Sequence, residues 1–309
     1  MRVVHPTPER FDESLALLQA ADVAVYGDSD WTEAELREEW EGLDVERDAW
    51  LVESQGRLAG VMHLAERRGG RFIGDGYVHP ELVGRGVGSL LLRLLEERVR
   101  ELEPEWPEHE PVVVECAHLV GDARAPALFT SCGYERVRSF FRMVIDVSEP
   151  QPAPVWPEGI ELRALDVERD GEQVYEAIEE AFAAEWGHRR RPYAEWRKRV
   201  YDWRGFEPDL VPVAWDDHEI AGVSLNYPKR MGDWGWVGSI GVQPVWRGRG
   251  LGLALLHESF ERFRRTGETT VALGVDAENP TGATRLYERA GMRVLYQADL
   301  WRKVLRDGD

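Results

Sequence analysis

The segment Val242-Gln-Pro-Val-Trp-Arg-Gly-Arg-Gly-Leu-Gly252 carries the most chemistry in the 309-residue chain. Its glycines permit a tight turn, and the amides that open the following helix lack intrahelical partners. Such amides, added to the positive end of the helix dipole, make an anion site that suits a pyrophosphate. Arg247 and Arg249 can add charge-assisted contacts. An ATP-type phosphate loop would end in Gly-Lys-Ser/Thr, and Gly250-Leu-Gly252 offers no lysine. A dinucleotide fingerprint needs a third small residue further on, where Leu253 and Leu255 stand. What remains is Arg-x-x-Gly-x-Gly, read as Arg247-Gly-Arg-Gly-Leu-Gly252 after a strand and before a helix.

The elements around this loop occur twice, roughly 160 residues apart. Glu53-Ser-Gln-Gly-Arg-Leu-Ala-Gly-Val61 resembles Trp215-Asp-Asp-His-Glu-Ile-Ala-Gly-Val223, and both read as a hairpin with a polar turn. Val78-His-Pro80 followed by Gly84-Arg-Gly-Val-Gly88 matches Val242-Gln-Pro244 followed by Gly248-Arg-Gly-Leu-Gly252. Leu128-Phe-Thr-Ser-Cys-Gly133 matches Leu286-Tyr-Glu-Arg-Ala-Gly291. Between the copies, Ser148-Glu-Pro-Gln-Pro-Ala-Pro-Val-Trp-Pro157 holds four prolines and suits an extended linker. The expected division is 1–148, a linker at 149–158, and 159–309.

Each copy predicts a strand, a helix (residues 9–21 and 171–184), hairpin strands, and a strand running into the glycine loop. An amphipathic helix follows, with Leu91, Leu94, Leu95 and Val99 in one copy and Leu255, Leu256, Phe260 and Phe263 in the other. A further strand, a short helix and a closing strand (residues 140–147 and 298–304) end each copy. The fold class is α+β, a mixed sheet flanked by helices.

With the Arg247–Gly252 loop, the segment Asp276-Ala-Glu-Asn-Pro-Thr-Gly-Ala-Thr-Arg-Leu-Tyr-Glu-Arg-Ala-Gly-Met292 makes the chain resemble the GCN5-related N-acetyltransferase (GNAT) family, in its tandem form. The resemblance covers nearly the whole chain and implies two acyl-CoA N-acyltransferase domains using acetyl-CoA. It implies pyrophosphate contacts from Arg247, Gly248, Arg249, Gly250, Leu251 and Gly252, and backbone contacts to pantetheine from Ile240, Gly241 and Val242. It implies a pantetheine contact from Asn279, which, standing before Pro280, also reads as a helix N-cap. Tyr287 matches the tyrosine that protonates the departing CoA thiolate, while a buried packing aromatic is its plain alternative. The family's usual glutamate base falls at Ser239, which is too weak a base at neutral pH. A water relay, Glu185, or an acceptor that arrives deprotonated are the options, with Glu185 ranked first.

The first copy keeps the glycines but has Val83 in place of Arg247 and Phe129 in place of Tyr287. A second, weaker cofactor site at Val78, Arg85, Gly86, Val87 and Gly88 is therefore expected without catalysis, leaving that half as scaffold. Cys132, opposite Ala290, reads as packing. The run His188-Arg-Arg-Arg191 reads as a solvated charge run beside the segment where the family builds its acceptor pocket.

Composition narrows the partners. Asp+Glu 57 against Lys+Arg 38 gives a net charge of −19, which repels nucleic acid and anionic lipid and mildly favours cationic acceptors. Only Lys198, Lys229 and Lys303 are lysines, which fits coding bias. Two cysteines, Cys116 and Cys132, exclude a disulfide framework and a cysteine zinc site, and no metal is expected. With no apolar run of about 18 residues and no signal-like N-terminus, a cytoplasmic protein without membrane contact is expected. The functional expectation is transfer of acetyl from acetyl-CoA to a primary amine of a small molecule by the C-terminal half. Its rivals are a noncatalytic acyl-CoA-binding or sensing module and acetylation of a protein or peptide amine. Oligomeric state is not legible.

Overall fold

In the computed structural model, residues 1–29, 31–66, 70–231, 233–279 and 281–308 are described. They form two compact units, Met1–Phe140 with Tyr296–Asp309, and Phe141–Leu295.

The first unit contains β1 (Arg2–Val4), α1 (Phe11–Tyr26), α2 (Glu33–Glu41), α3 (Val45–Asp48), β2 (Ala49–Ser54), β3 (Arg57–Glu66), β4 (Arg71–Val78), α4 (Val87–Leu102), β5 (Val112–Leu119), α5 (Ala125–Ser131) and the start of β6 (Glu135–Asp146). Thr32 and Glu35 form a capping box that starts α2. Strands β1 to β4 pair antiparallel in sequence order, and β4 then pairs parallel with β5. The helical spacing read in α4 is realised, since Leu91, Leu95 and Val99 are fully buried with Phe72, Val112 and Val114.

The second unit contains β7 (Ile160–Arg163), α6 (Val167–Phe182), α7 (Tyr193–Val200), β8 (Val213–Asp216), β9 (Glu219–Met231), β10 (Trp234–Val242), α8 (Leu251–Arg265), β11 (Thr270–Asp276), α9 (Ala283–Arg289) and the start of β12 (Arg293–Arg306). Asp166 caps α6 by accepting from the amides of Glu168 and Arg169. Antiparallel pairs β7–β8, β8–β9 and β9–β10 lead to the parallel pair β10–β11. Helix α8 buries Leu255, Leu256, Phe260 and Phe263 on one side of this sheet. On the other, α6 buries Val174, Tyr175 and Ile178 with Val213, Val223 and Leu225.

The unit boundaries differ from the expected cut at 149–158 in their closing strands. The second half of β6 belongs to the second unit, where Met143, Ile145 and Val147 share a core with Val271 and Leu273. Most of β12 belongs to the first, where residues 298–306 pair antiparallel with β5 and Trp301 joins the core around Phe72 and Phe129. Both strands were anticipated; the core each one completes was not. The 148–157 segment carries no helix or strand, as its prolines dictate.

Candidate active site

The second unit's glycine turn adopts the backbone its residues permit. Gly248 and Gly250 have φ of 74° and 90°, and Gly250 is the N-cap of α8. Because left-handed φ excludes most side chains, glycine is required at both. The first helical bonds run from Leu253 and Ala254 to the Gly250 carbonyl, so the amides ahead of them have no helical acceptor. Gly252 allows close packing on α9, since a Cβ there would stand 3.1 Å from Leu286.

Strand β10 leads into this turn and parts from β11 early. Their parallel ladder holds only Gly235 with Val271 and Trp236 with Ala272. A register irregularity against β9 between Val237 and Ser239 marks the same point. From there to Val242, β10 keeps β9 on one edge and is unladdered toward β11, leaving backbone groups available to an extended ligand. At Gly241 the strand also touches α6, where a Cβ would meet Ala181 at 3.0 Å.

A cavity of about 540 Å³ occupies this opening. Its lining brings together the sequence-predicted Ile240, Gly241, Val242, Arg247, Gly248, Gly250, Leu251, Gly252, Asn279, Glu185 and Tyr287, with Ser239 beside them. Arg249 lies outside the lining, its guanidinium 4.7 Å over the Trp246 ring. Arg247 is a brace: Nε donates to the Val242 carbonyl at 3.1 Å and Nη2 to the Ala181 carbonyl at 3.0 Å. It ties the turn to β10 and to the end of α6.

Glu185 and Asn279 meet although 94 residues separate them, with Asn279 Nδ2 donating to Glu185 Oε1 at 2.9 Å. The expected helix cap at Asn279 is corrected, because α9 begins at Ala283 behind Gly282. Asn279 Oδ1 instead accepts from the Thr281 amide at 2.8 Å, an Asx-type turn that aims its amide group at Glu185. Pro280 lies outside the described residues. The segment carrying Glu185 is secured by short turns, Glu185 to the Phe182 carbonyl and His188 to the Glu185 carbonyl. His188 Nε2 also lies 3.1 Å from Glu179 Oε2, and Arg190 Nε donates to the Tyr175 hydroxyl at 3.1 Å. The 188–191 run is thus partly anchored on α6 rather than simply solvated, a role no local pattern reveals.

Tyr287 is 8% exposed and reaches the cavity from α9. Burial first, and the charge of Glu185 second, push its phenol well above the ordinary tyrosine value, so it holds its proton at neutral pH. Arg285 and Arg289, also in the lining, were missed in the sequence, where their i,i+4 spacing on a helix beside the glycine turn was the available signal. The arrangement combines a glycine turn whose first amides have no helical acceptor, an unladdered strand edge, a carboxylate and a neutral phenol.

The first unit repeats only part of this. Gly84 and Gly86 have φ of 81° and 82°, and Gly86 caps α4 ahead of Val87 and Gly88. Val78 ends β4, and Arg85 reaches toward Gln55 Oε1 at 3.5 Å. Phe129 is buried and stacked on Trp301, with centroids 5.4 Å apart. Among the described residues no group of three or more metal-ligating side chains occurs, and no helix is long and apolar enough to cross a membrane.

Comparison with known proteins gives concordant matches. The sequence model of the Acetyltransferase (GNAT) family matches residues 14–134 and 171–292. The mycothiol acetyltransferase of Geodermatophilus obscurus is 32% identical over 292 residues, covering 90% of this chain and 89% of that protein. The crystal structure of a GCN5-related N-acetyltransferase from Sphaerobacter thermophilus superposes with a TM-score of 0.90 at 36% identity, covering 100% of this chain and 96% of that one. A tandem GNAT protein from the clavulanic acid biosynthesis pathway, 17% identical, shares the fold with a TM-score of 0.74 over 100% of this chain and 99% of its own.

Proposed function

Because the chain belongs to the acetyltransferase (GNAT) family, we propose that its second unit moves acetyl from acetyl-CoA to a primary amine of a small molecule. Membership makes the chain an acetyl-CoA-dependent acetyltransferase. The observation that carries the finer reading is the single cavity into which the Gly248–Gly252 turn, the unladdered edge of β10, Glu185 and Tyr287 all open. Its residues fit acetyl-CoA: left-handed glycines present amides to a pyrophosphate, and β10 offers backbone to the pantetheine amides. Relatives that carry the name mycothiol acetyltransferase support a small-molecule acceptor.

In the reaction, the amine nitrogen attacks the thioester carbonyl carbon, forming a C–N bond, and the C–S bond then breaks. Negative charge gathers first on the carbonyl oxygen, where a strand amide of β10 near Val242 stabilises it. Tyr287, kept protonated by burial, gives its proton to the departing thiolate. The surplus proton of the amine leaves through Glu185, directly or by one water, and Asn279 holds that carboxylate in place.

Incubation with acetyl-CoA and a panel of primary amines, followed by free-thiol release and product mass, tests the assignment. Amine-dependent thiol release that requires an intact second unit is expected. Thiol release that no amine in the panel accelerates overturns transfer to a small-molecule amine.

A further inference from the structure

Glycines of the separated strands form part of the cavity wall. Gly238 and Gly274 line it, and both abut large rings. A Cβ at Gly238 would stand 2.6 Å from the Tyr227 ring, and one at Gly274 would stand 3.7 Å from the Trp236 ring. These rings pack with the α6–α7 core, on the face of the sheet opposite α8. Since the glycine turn and Tyr287 belong to the α8–α9 side, an acceptor meeting the thioester from the other side would lie along Tyr227 and Trp236.

Two cations stand beside that surface: Arg142, its guanidinium 4.4 Å over the Trp236 ring, and Arg230 against Tyr227. Lys229 has a φ of 44°, which breaks the strand's two-residue alternation and carries Arg230 onto the side of Tyr227. The Arg230 guanidinium stands 4.6 Å from the Tyr227 ring centroid and 4.8 Å from that of Trp203, and the two rings meet edge to face at 5.5 Å. Two aromatic contacts immobilise the group without neutralising it. Its Nη1 is buried with no hydrogen-bond partner, and no carboxylate pairs with it among the described residues. A pre-oriented guanidinium whose Nη1 has lost water without gaining an acceptor is complementary to a planar or tetrahedral oxyanion. In a chain of net charge −19, an anionic acceptor needs such a fixed positive point, since the overall field repels it.

We propose that Arg230, clamped between Trp203 and Tyr227, binds an oxyanion group, carboxylate or phosphate, carried by the amine that the second unit acetylates. Arg230 is a specificity-determining residue that anchors the far end of the acceptor while the amine faces the thioester. The word acceptor rests on the acetyl-transfer reading; the anion site itself does not.

The test therefore uses binding as well as turnover. With CoA present, product pairs that differ only in the oxyanion are titrated into the full-length protein by calorimetry. The pairs are N-acetyl-L-phenylalanine against its amide, and N-acetylglucosamine 6-phosphate against N-acetylglucosamine. The expected result is about tenfold tighter binding of the oxyanion member in at least one pair. Which pair shows it separates carboxylate from phosphate. Arg230→Met should erase that preference and leave acetyl-CoA affinity unchanged, and Arg230→Lys, which keeps a cation but loses the planar fork, should reduce it. Equal binding within both pairs, or a preference that survives in both variants, overturns the proposal. An intact preference in a protein that acetylates no amine would instead remove the transfer reading and leave the anion site standing.

Discussion

The two glycine turns are nearly identical in backbone, with φ of 81° and 82° in the first unit and 74° and 90° in the second, yet the strands leading into them part differently. In the first unit the β4–β5 ladder continues to Gly74 with Cys116; in the second it stops at Trp236 with Ala272. By the sequence repeat, Gly74 corresponds to Gly238 and Cys116 to Gly274, so the second unit opens two residues sooner. A buried thiol occupies the corresponding place in the first unit, and burial keeps it far above the usual cysteine range, hence protonated and inert. Further along, Phe129 stacks on Trp301, whose indole Nε1 donates to His118 Nδ1 at 3.0 Å. In the second unit the matching aromatic, Tyr287, lines a cavity. The turns agree because their backbone is local; the strands behind them differ at one matched position, Cys116 against Gly274, where the second unit has no side chain to fill the gap.

The largest effect expected from this contrast separates the two turns. Gly250→Val puts a β-branched side chain at φ of 90° and should abolish turnover and the tighter acetyl-CoA binding, while Gly86→Val should leave both nearly unchanged. Calorimetry and single-turnover acetylation on both variants check this. The reverse pattern would move the active site to the first unit. Melting curves establish that each variant is folded.

A smaller effect tests whether the phenol distinguishes the units chemically. Tyr287→Phe copies Phe129 into the second unit and should lower kcat by roughly 10²-fold with acetyl-CoA affinity retained. An equal loss of binding and turnover would mark Tyr287 as packing. The acid must be protonated to work and burial raises its pKa, so its alkaline loss of kcat should begin only above the ordinary tyrosine value of about 10. A pH profile of kcat reads this directly: an alkaline limb well below that value, abolished by Tyr287→Phe, would contradict the burial argument.

The smallest effect on activity comes from the opposite exchange. Phe129→Tyr should create no second active site, because the Gly74–Cys116 ladder and the Trp301 stack remain. Its hydroxyl enters a packed aromatic cluster, so a loss of about 1–3 kcal/mol in stability is expected by denaturant unfolding. Acetyl transfer that persists in Phe129→Tyr with Gly250→Val would show that the phenol alone was missing.

Much of this contrast is legible in the residues themselves. The paired Gly-x-Gly-x-Gly motifs specify left-handed turns before helices because few other residues adopt such φ, and the Leu and Phe spacing of α4 and α8 specifies which faces are buried. Val83 against Arg247 and Phe129 against Tyr287 announce an unequal pair. Arg247 shows the limit of such reading. Its type suggested a phosphate ligand, but its guanidinium bonds the carbonyls of Val242 and Ala181, and the second lies 66 residues away in a helix whose approach no local pattern encodes.

By itself, then, the sequence determined the tandem repeat, the elements of each copy and the turns, since these depend on φ preference and hydrophobic period among near neighbours. Only the tertiary structure decided which core β6 and β12 complete, that Trp301 covers Phe129, and that Asn279 holds Glu185 beside Tyr287. Strand partners and side-chain encounters across many residues follow from which apolar faces are buried together, and one-dimensional order does not carry that information.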